Sequence, residues 1–264
     1  MNPSQYHAAV REIPAFSDNY IWMLDNGDGS ACVVDPGDAK PVERALASSG
    51  LTLSAILITH HHFDHVGGLA RLKEGWNCTV YGPRNPAITG IDRILSDGER
   101  VRIGRFDFEI FAVPGHTLDH IAYFAADEEP PLLFCGDTLF AAGCGRLFEG
   151  TPQQMHTSLR RLAELPAHTG VYCAHEYTLA NLEFAVAADP GNESLRERCI
   201  RERARRDAGT PTVPTTVGLE RDTNPFLRSA EPSVVAGLHG AGRVEASADP
   251  IAAFAALRAW KDQF

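Results

Sequence analysis

Along the first part of the chain the hydrophobic positions come in short runs of strand length, broken by Gly, Pro, Asn and Asp. Residues 8–16 read as a first strand, and residues 20–24 and 31–34 as a hairpin around Asn26-Gly27-Asp28-Gly29. Asp35-Pro36-Gly37-Asp38 ends it, residues 41–48 carry a helical pattern, and the branched run 53–58 has the character of a buried strand. A helix over 66–73 and a short strand at 78–81 come next. Strands at 99–103 and 106–113 then turn on Gly104-Arg105, and further strands fall at 121–125 and 132–135. A helix over 152–165 and a strand at 170–173 close a half in which strands outnumber helices, the signature of layered α/β architecture.

After His175 the period changes. Residues 179–188, 193–206, 233–238 and 250–263 repeat their apolar positions at helical spacing, with no strand of comparable quality. The expected division is therefore a first domain over 1–174 and a helical domain over 175–264. Residues 210–225 read as one long irregular connection over the surface. The helix at 196–206, R-E-R-C-I-R-E-R-A-R-R, interleaves Glu with Arg and reads as a solvated face, not a nucleic-acid element.

Composition narrows the picture. A chain of 264 residues, 44% hydrophobic and 22% charged, can bury a sizeable core in one domain or two. Its formal charge of −10 argues against nucleic acid or an anionic membrane as a general partner, so an anionic ligand needs a local basic pocket. The six Cys form no C-x-x-C pair, as expected of reduced thiols. The first residues lack the basic start and apolar stretch of a secretory signal, and no window approaches the ~18 apolar residues of a membrane span, so a cytoplasmic protein is expected, and separately a monomer.

The candidate chemistry begins where the run 53–58 ends, in T-H-H-H-F-D-H-V-G-G. On an extended exit alternate side chains share a face, so His60 and His62 converge while His61 points elsewhere, and Asp64 and His65 follow the turn. Neutral imidazole and ionised carboxylate are natural ligands of a divalent transition ion, and an accidental H-x-H-x-D-H is on the order of one in a thousand for this composition. Gly67 and Gly68 allow close backbone approach at the start of the helix expected there. His116, Asp137 and His175 also stand at strand exits, as do the ligands of a convergent site. Five His and two Asp exceed the needs of one ion and imply two, with one carboxylate bridging. His7, His61, His120, His156, His168, His239 and Cys135 read as ordinary polar or core residues.

T-H-x-H-x-D-H-x-G-G, with the later G-H-T, G-D-T-L-F and H-E-Y, resembles the metallo-β-lactamase superfamily and, within it, the glyoxalase II enzymes, over nearly the whole chain. The resemblance implies a four-layer αββα sandwich with a C-terminal helical domain. It implies one metal held by His60, His62 and His116, a second by Asp64, His65 and His175, and Asp137 bridging both. Asp64 and Asp137 would then serve the catalytic hydroxide, and the ions would be zinc, with iron or manganese acceptable to the same donors. Arg146, Tyr177, Arg258 and Lys261 resemble the family's glutathione contacts, Arg258 and Lys261 lying one helical turn apart. Phe148 departs from the pattern, since many relatives carry Tyr there.

The implied activity is hydrolysis of S-lactoylglutathione to a 2-hydroxy acid and glutathione, the second step of methylglyoxal detoxification. A thiolate leaving group, its thiol pKa near ~8.5, departs without a strong general acid, which suits a site with no obvious one. The rivals are a persulfide dioxygenase of the same fold with a single iron on His60, His116 and Asp137, a β-lactamase or lactonase, neither of which needs the cationic ending, and a protein that only binds glutathione conjugates or metal.

Overall fold

The computed structural model describes residues 7–264. Its contacts divide the chain into two compact units, one of residues up to Ala112 with Asp119–Gly136 and Gly170–His175, the other of Val113–Leu118, Asp137–Thr169 and Glu176–Phe264.

In the first unit, β1 (Val10–Ala15), β2 (Asn19–Asp25), β3 (Ser30–Val34), β4 (Thr52–Leu57), β5 (Thr79–Gly82) and β6 (Arg93–Ile94) form one sheet in chain order. The β2–β3 hairpin forms as expected, with Gly27 and Gly29 at φ +79° and +86°, a region where a side chain would be strained. From β3 onward the strands are parallel, which requires crossovers. The helix α1 (Ala39–Ser49) makes the first one, capped by the Asp38 carboxylate on the Lys40 N–H and ended at Gly50 with φ +68°. β4 thus lies inside the sheet, buried over its last three residues, and delivers the histidine run to the edge of a packed layer.

The 66–73 helix is the first expectation the structure corrects. Two helices occupy this region, α2 (Phe63–Val66) and α3 (Leu69–Trp76), with Gly67 and Gly68 between them. The reason is backbone crowding. A Cβ on Gly67 would stand 2.6 Å from the Gly37 carbonyl oxygen, and one on Gly68 2.5 Å from that of Pro36. The Gly68 N–H donates to the Pro36 carbonyl at 2.9 Å, so the turn after β3 and the turn after β4 lie backbone on backbone. Val42 and Leu46 of α1 and Leu69 and Leu72 of α3 cover one face of the sheet, packing with Ile21, Met23, Val33, Ile56 and Val80. Each such side chain contributes roughly 2 kcal/mol on leaving water.

The second sheet of this unit runs β13 (Gly170–Cys173), β10 (Leu132–Gly136), β9 (Ile121–Ala125), β8 (Phe106–Ala112), β7 (Arg100–Ile103), antiparallel except for β10 with β13. It is stitched to the first by Trp22, whose indole N–H donates to the Cys173 carbonyl at 3.0 Å and whose ring meets Tyr172 edge-on at 5.0 Å. The Tyr123 hydroxyl donates to the Ile58 carbonyl at 2.8 Å, closing the end of β4 from the opposite sheet.

The second unit holds a two-residue hairpin, β11 (Leu139–Phe140) with β12 (Gly143–Cys144), and α4 (Pro152–Ala163), started by a capping box of Thr151 and Gln154. Then come α5 (Thr178–Ala188), α6 (Glu193–Asp207), β14 (Thr215–Thr216), α7 (Val217–Thr223), α8 (Pro232–Gly240) and α9 (Pro250–Lys261). The stretch 210–225 is therefore not irregular. Thr216 caps α7 through the Leu219 N–H at 3.3 Å, and the helix exists to present Glu220 inward. Nor is α6 wholly solvated, because Arg198 is 1% exposed and donates to Glu220 at 2.6 Å and to the Thr223 hydroxyl at 2.6 Å. Glu220 also accepts from the Ala142 N–H at 2.8 Å, so every charge taken from water has a hydrogen-bonded partner. Among the described residues no helix is long and apolar enough to cross a membrane.

A Cβ on Gly37 would stand 1.8 Å from the Asp64 carbonyl oxygen. Gly37→Ala is expected to cost about 1–3 kcal/mol through forced backbone movement, read as a lowered urea midpoint at unchanged slope. An unchanged midpoint would mean the two turns can separate freely.

Candidate metal centre

The histidine run leaves β4 along an extended path, and His62, with φ −63° and ψ 146°, is the last extended residue before α2 turns the chain. His60 is fully buried, its ring centroid 4.8 Å from that of His62 and 4.1 Å from that of His65. On its other side His120 stacks at 4.6 Å with 15° between the planes, so a histidine that looked ordinary in the sequence fixes the tilt of His60. His61 Nδ1 lies 2.9 Å from Asp119 Oδ1, and its ring centroid is 5.0 Å from that of His62.

Asp64, His65 and His175 come together. Their donor atoms lie within 4.8 Å of one another, with Asp64 Oδ2 3.5 Å from His65 Nε2 and 3.4 Å from His175 Nε2. Those distances are long for hydrogen bonds between such groups. They match the edge of a tetrahedron, about 3.3–3.4 Å, when nitrogen and oxygen ligands stand ~2.0–2.1 Å from a central ion. The pair of candidates in the second unit has the same spacing, His116 Nε2 lying 3.4 Å from Asp137 Oδ2. The donor set therefore fits divalent transition ions in both chemistry and spacing.

The opposite ring nitrogens face oxygen atoms, by hydrogen bonds in His60, His116 and His175 and by an ion-pair approach in His65, which is the usual way a metal-binding imidazole is held in one orientation. His65 Nδ1 is 3.0 Å from Asp35 Oδ2, His175 Nδ1 is 2.8 Å from Asp18 Oδ1, and His116 Nδ1 is 2.7 Å from the Arg146 carbonyl. His60 Nδ1 faces the Thr59 hydroxyl at 3.1 Å, and that hydroxyl donates to Asp35 Oδ2 at 2.7 Å. Asp64 is steadied by Asn19 Nδ2 at 2.9 Å. Sequence reading passed over Asp18, Asn19 and Asp35. The only sign of them is that each lies at a turn or strand end, with Asp35 at φ +52°, a strained value for a residue with a Cβ.

The expected glutathione contacts all belong to the second unit. Tyr177 precedes α5 with its ring edge-on to Phe140 at 5.4 Å, and Phe148 lies exposed, edge-on to His116 at 5.2 Å. Lys261 is half-buried; it donates to the Ala180 carbonyl at 2.9 Å, and burial together with the neighbouring Arg258 pulls its pKa down. Arg258 differs from the free clamp the sequence suggests. It is 6% exposed, donating to the Cys144 carbonyl at 3.0 Å and to Asp262 Oδ1 at 2.9 Å. Arg146 is exposed, its Nε 3.3 Å from the same Asp262 oxygen.

Comparison with known proteins decides the family. The model for the metallo-beta-lactamase superfamily matches residues 16–175, and the model described as hydroxyacylglutathione hydrolase C-terminus matches residues 176–264. A hydroxyacylglutathione hydrolase of Pseudomonas paraeruginosa is 57% identical over 97% of this chain and 99% of its own. The chain belongs to the hydroxyacylglutathione hydrolase family. Its fold is that of the metallo-beta-lactamase superfamily, an α/β architecture followed by the family's helical C-terminal region. Among solved structures, ETHE1 from Myxococcus xanthus superposes with a TM-score of 0.64 at 26% identity, covering 96% of this chain and 97% of that one. TTHA1623 in a di-iron-bound form superposes with a TM-score of 0.57 at 28% identity, covering 79% and 95%.

Asp35 accepts two hydrogen bonds from Thr59 and holds His65. Asp35→Asn is expected to lower metal affinity about 10- to 100-fold in competition with a chelator, while His61→Ala stays near wild type. Equal losses in both variants would show that the wrong histidines have been assigned.

Proposed function

We propose that the protein hydrolyses S-lactoylglutathione to the 2-hydroxy acid and glutathione, as a monomer in the cytoplasm, with a domain over 1–174 holding two divalent ions and a domain over 175–264 holding the tripeptide. The observation that carries this reading is the joint match: a metal-type donor set with anchored imidazoles, and 57% identity along nearly the whole chain to a hydroxyacylglutathione hydrolase. All six cysteines are free thiols, in keeping with a reducing compartment.

His60, His62 and His116 would hold one ion and Asp64, His65 and His175 the other, with Asp137 shared. In support, the donor atoms of Asp64, His65 and His175 lie within 4.8 Å of one another in the first unit, and His116 Nε2 lies 3.4 Å from Asp137 Oδ2 in the second. An all-nitrogen-and-oxygen set accepts zinc first, or iron or manganese. When bound, the ions supply Lewis acidity and a water acidified toward neutral pH. The protein's part is orientation. Asp18, Asp35, Thr59 and the Arg146 carbonyl fix the imidazoles, so no reorganisation is needed as charge develops on the attacked carbonyl. Asp64, oriented by Asn19, and Asp137 would be the two carboxylates that serve the catalytic hydroxide.

Arg146, Tyr177, Arg258 and Lys261 would bind glutathione, whose carboxylates need a cationic pocket on a protein of net charge −10. Lys261 supplies a partly desolvated ammonium. Buried Arg258 would serve both the ligand and the fold, because its other donors hold the Cys144 carbonyl at the end of β12.

Asp137→Ala is expected to lose bound metal and thioester hydrolysis together while the chain stays folded by circular dichroism; near-normal turnover would refute the shared-carboxylate assignment. Lys261→Ala should raise KM for S-lactoylglutathione about tenfold with kcat within about twofold, the pattern of a contact felt equally in ground state and transition state. A fall in kcat at constant KM would place Lys261 in the chemistry instead of in binding.

A further inference from the structure

A carboxylate, Asp262, sits among the cations assigned to glutathione. Asp262 Oδ1 lies 2.9 Å from an Arg258 Nη and 3.3 Å from Arg146 Nε, and it borders Lys261 in the chain. Nothing local calls for a negative charge there. Asp262 is the C-cap of α9, whose N–H returns to the Arg258 and Trp260 carbonyls, and the end of a helix favours cations. Its i,i+4 pairing with Arg258 has the acid on the C-terminal side, the weaker of the two orders. Its side chain is about one-third exposed and Arg146 more than half exposed, so the Arg146–Asp262 contact faces water and can be exchanged for another anion.

We infer that Asp262 is an internal counter-ion of the glutathione subsite, occupying the carboxylate position against Arg146 and Arg258 in the free enzyme and yielding Arg146 to a carboxylate of the tripeptide on binding. This rests on the glutathione reading of the pocket. Its logic is competition at constant geometry. With Asp262 present the guanidiniums of Arg146 and Arg258 stay aimed at one point, and a ligand must present a carboxylate able to replace the resident one. Asp262 and Glu183, the carboxylates that act on Lys261, offset part of the charge of the three cations, so Asp262 makes the pocket less attractive to an anion than it would otherwise be. Asp262 thus sets affinity, trading tight retention of the glutathione product for release.

The test uses the full-length metal-loaded enzyme and two thioesters, S-lactoylglutathione and the neutral N-acetylcysteamine thioester of lactate. Asp262→Asn keeps the shape and suits a helix C-terminus, whereas Asp262→Glu keeps the charge. The expected result is that Asp262→Asn lowers the ratio of the glutathione-thioester KM to the neutral-thioester KM by about three- to fivefold, and the inhibition constant of free glutathione by a similar factor. Asp262→Glu should keep the wild-type ratio. An unchanged or raised ratio in Asp262→Asn, or an equal shift on both thioesters, overturns the inference while leaving the functional reading intact. A wild-type enzyme that neither hydrolyses S-lactoylglutathione nor is inhibited by glutathione overturns both.

Discussion

The catalytic half of this structure depends on one short carboxylate cluster, the grip of Asp35 on the chain that leaves β4. Asp35 takes the Thr59 N–H at 2.8 Å and the Thr59 hydroxyl at 2.7 Å, and it faces His65 Nδ1 at 3.0 Å. It stands at the exit of one strand and binds the exit of its parallel neighbour, so two strand ends are locked into one edge. Gly67 and Gly68 make this possible, because only residues without Cβ let the two turns approach backbone to backbone. The strain of Asp35 at positive φ is offset by three interactions in a site screened from water.

From that edge the rest of the chemistry follows. In the first unit one ring nitrogen each of His60, His65 and His175 faces an oxygen atom, and Asp64 Oδ2 lies 3.4 Å from His175 Nε2; in the second, His116 Nδ1 faces the Arg146 carbonyl and its Nε2 lies 3.4 Å from Asp137 Oδ2. Rigidity is the contribution of the surrounding fold. The Trp22 and Tyr123 hydrogen bonds tie the two sheets together at the ends from which the ligands emerge. The second unit uses the same economy around Glu220, which joins α6, α7 and the Ala142 turn through buried hydrogen bonds from Arg198, Asn224 and the Ala142 N–H. There the polar network holds the β11–β12 hairpin, and Arg258 meets that hairpin again at Cys144.

Much of this was legible in the residues. Most strands of the first sheet, the helical C-terminal region and the family were all carried by the sequence pattern, and placement after apolar runs is what proposes His60, His62, His116, Asp137 and His175 as ligands. The orienting groups were not legible, because their partners are remote: Asp18 meets His175 across 157 positions and Asp35 meets Thr59 across 24. A lone Asp in a turn carries no mark of such a partner. The α2–α3 break was missed because the Gly pair sits in a helical pattern and its cause, the Pro36 and Gly37 backbone, lies elsewhere in the chain. The α7 helix was missed because it is short and its inward residue is Glu220, opposite to what apolar periodicity looks for. Arg198 was read as solvated for the same reason, since only tertiary structure reveals the buried acid that receives it.

The central claim is that two ions act together on a glutathione thioester, and stoichiometric reconstitution tests it most directly. Metal-free protein is titrated with zinc while bound metal and S-lactoylglutathione hydrolysis are measured on the same samples. The account predicts that hydrolysis rises with the second equivalent per chain and levels off there. Full activity at one equivalent, or two bound equivalents with no thioester hydrolysis, would contradict it.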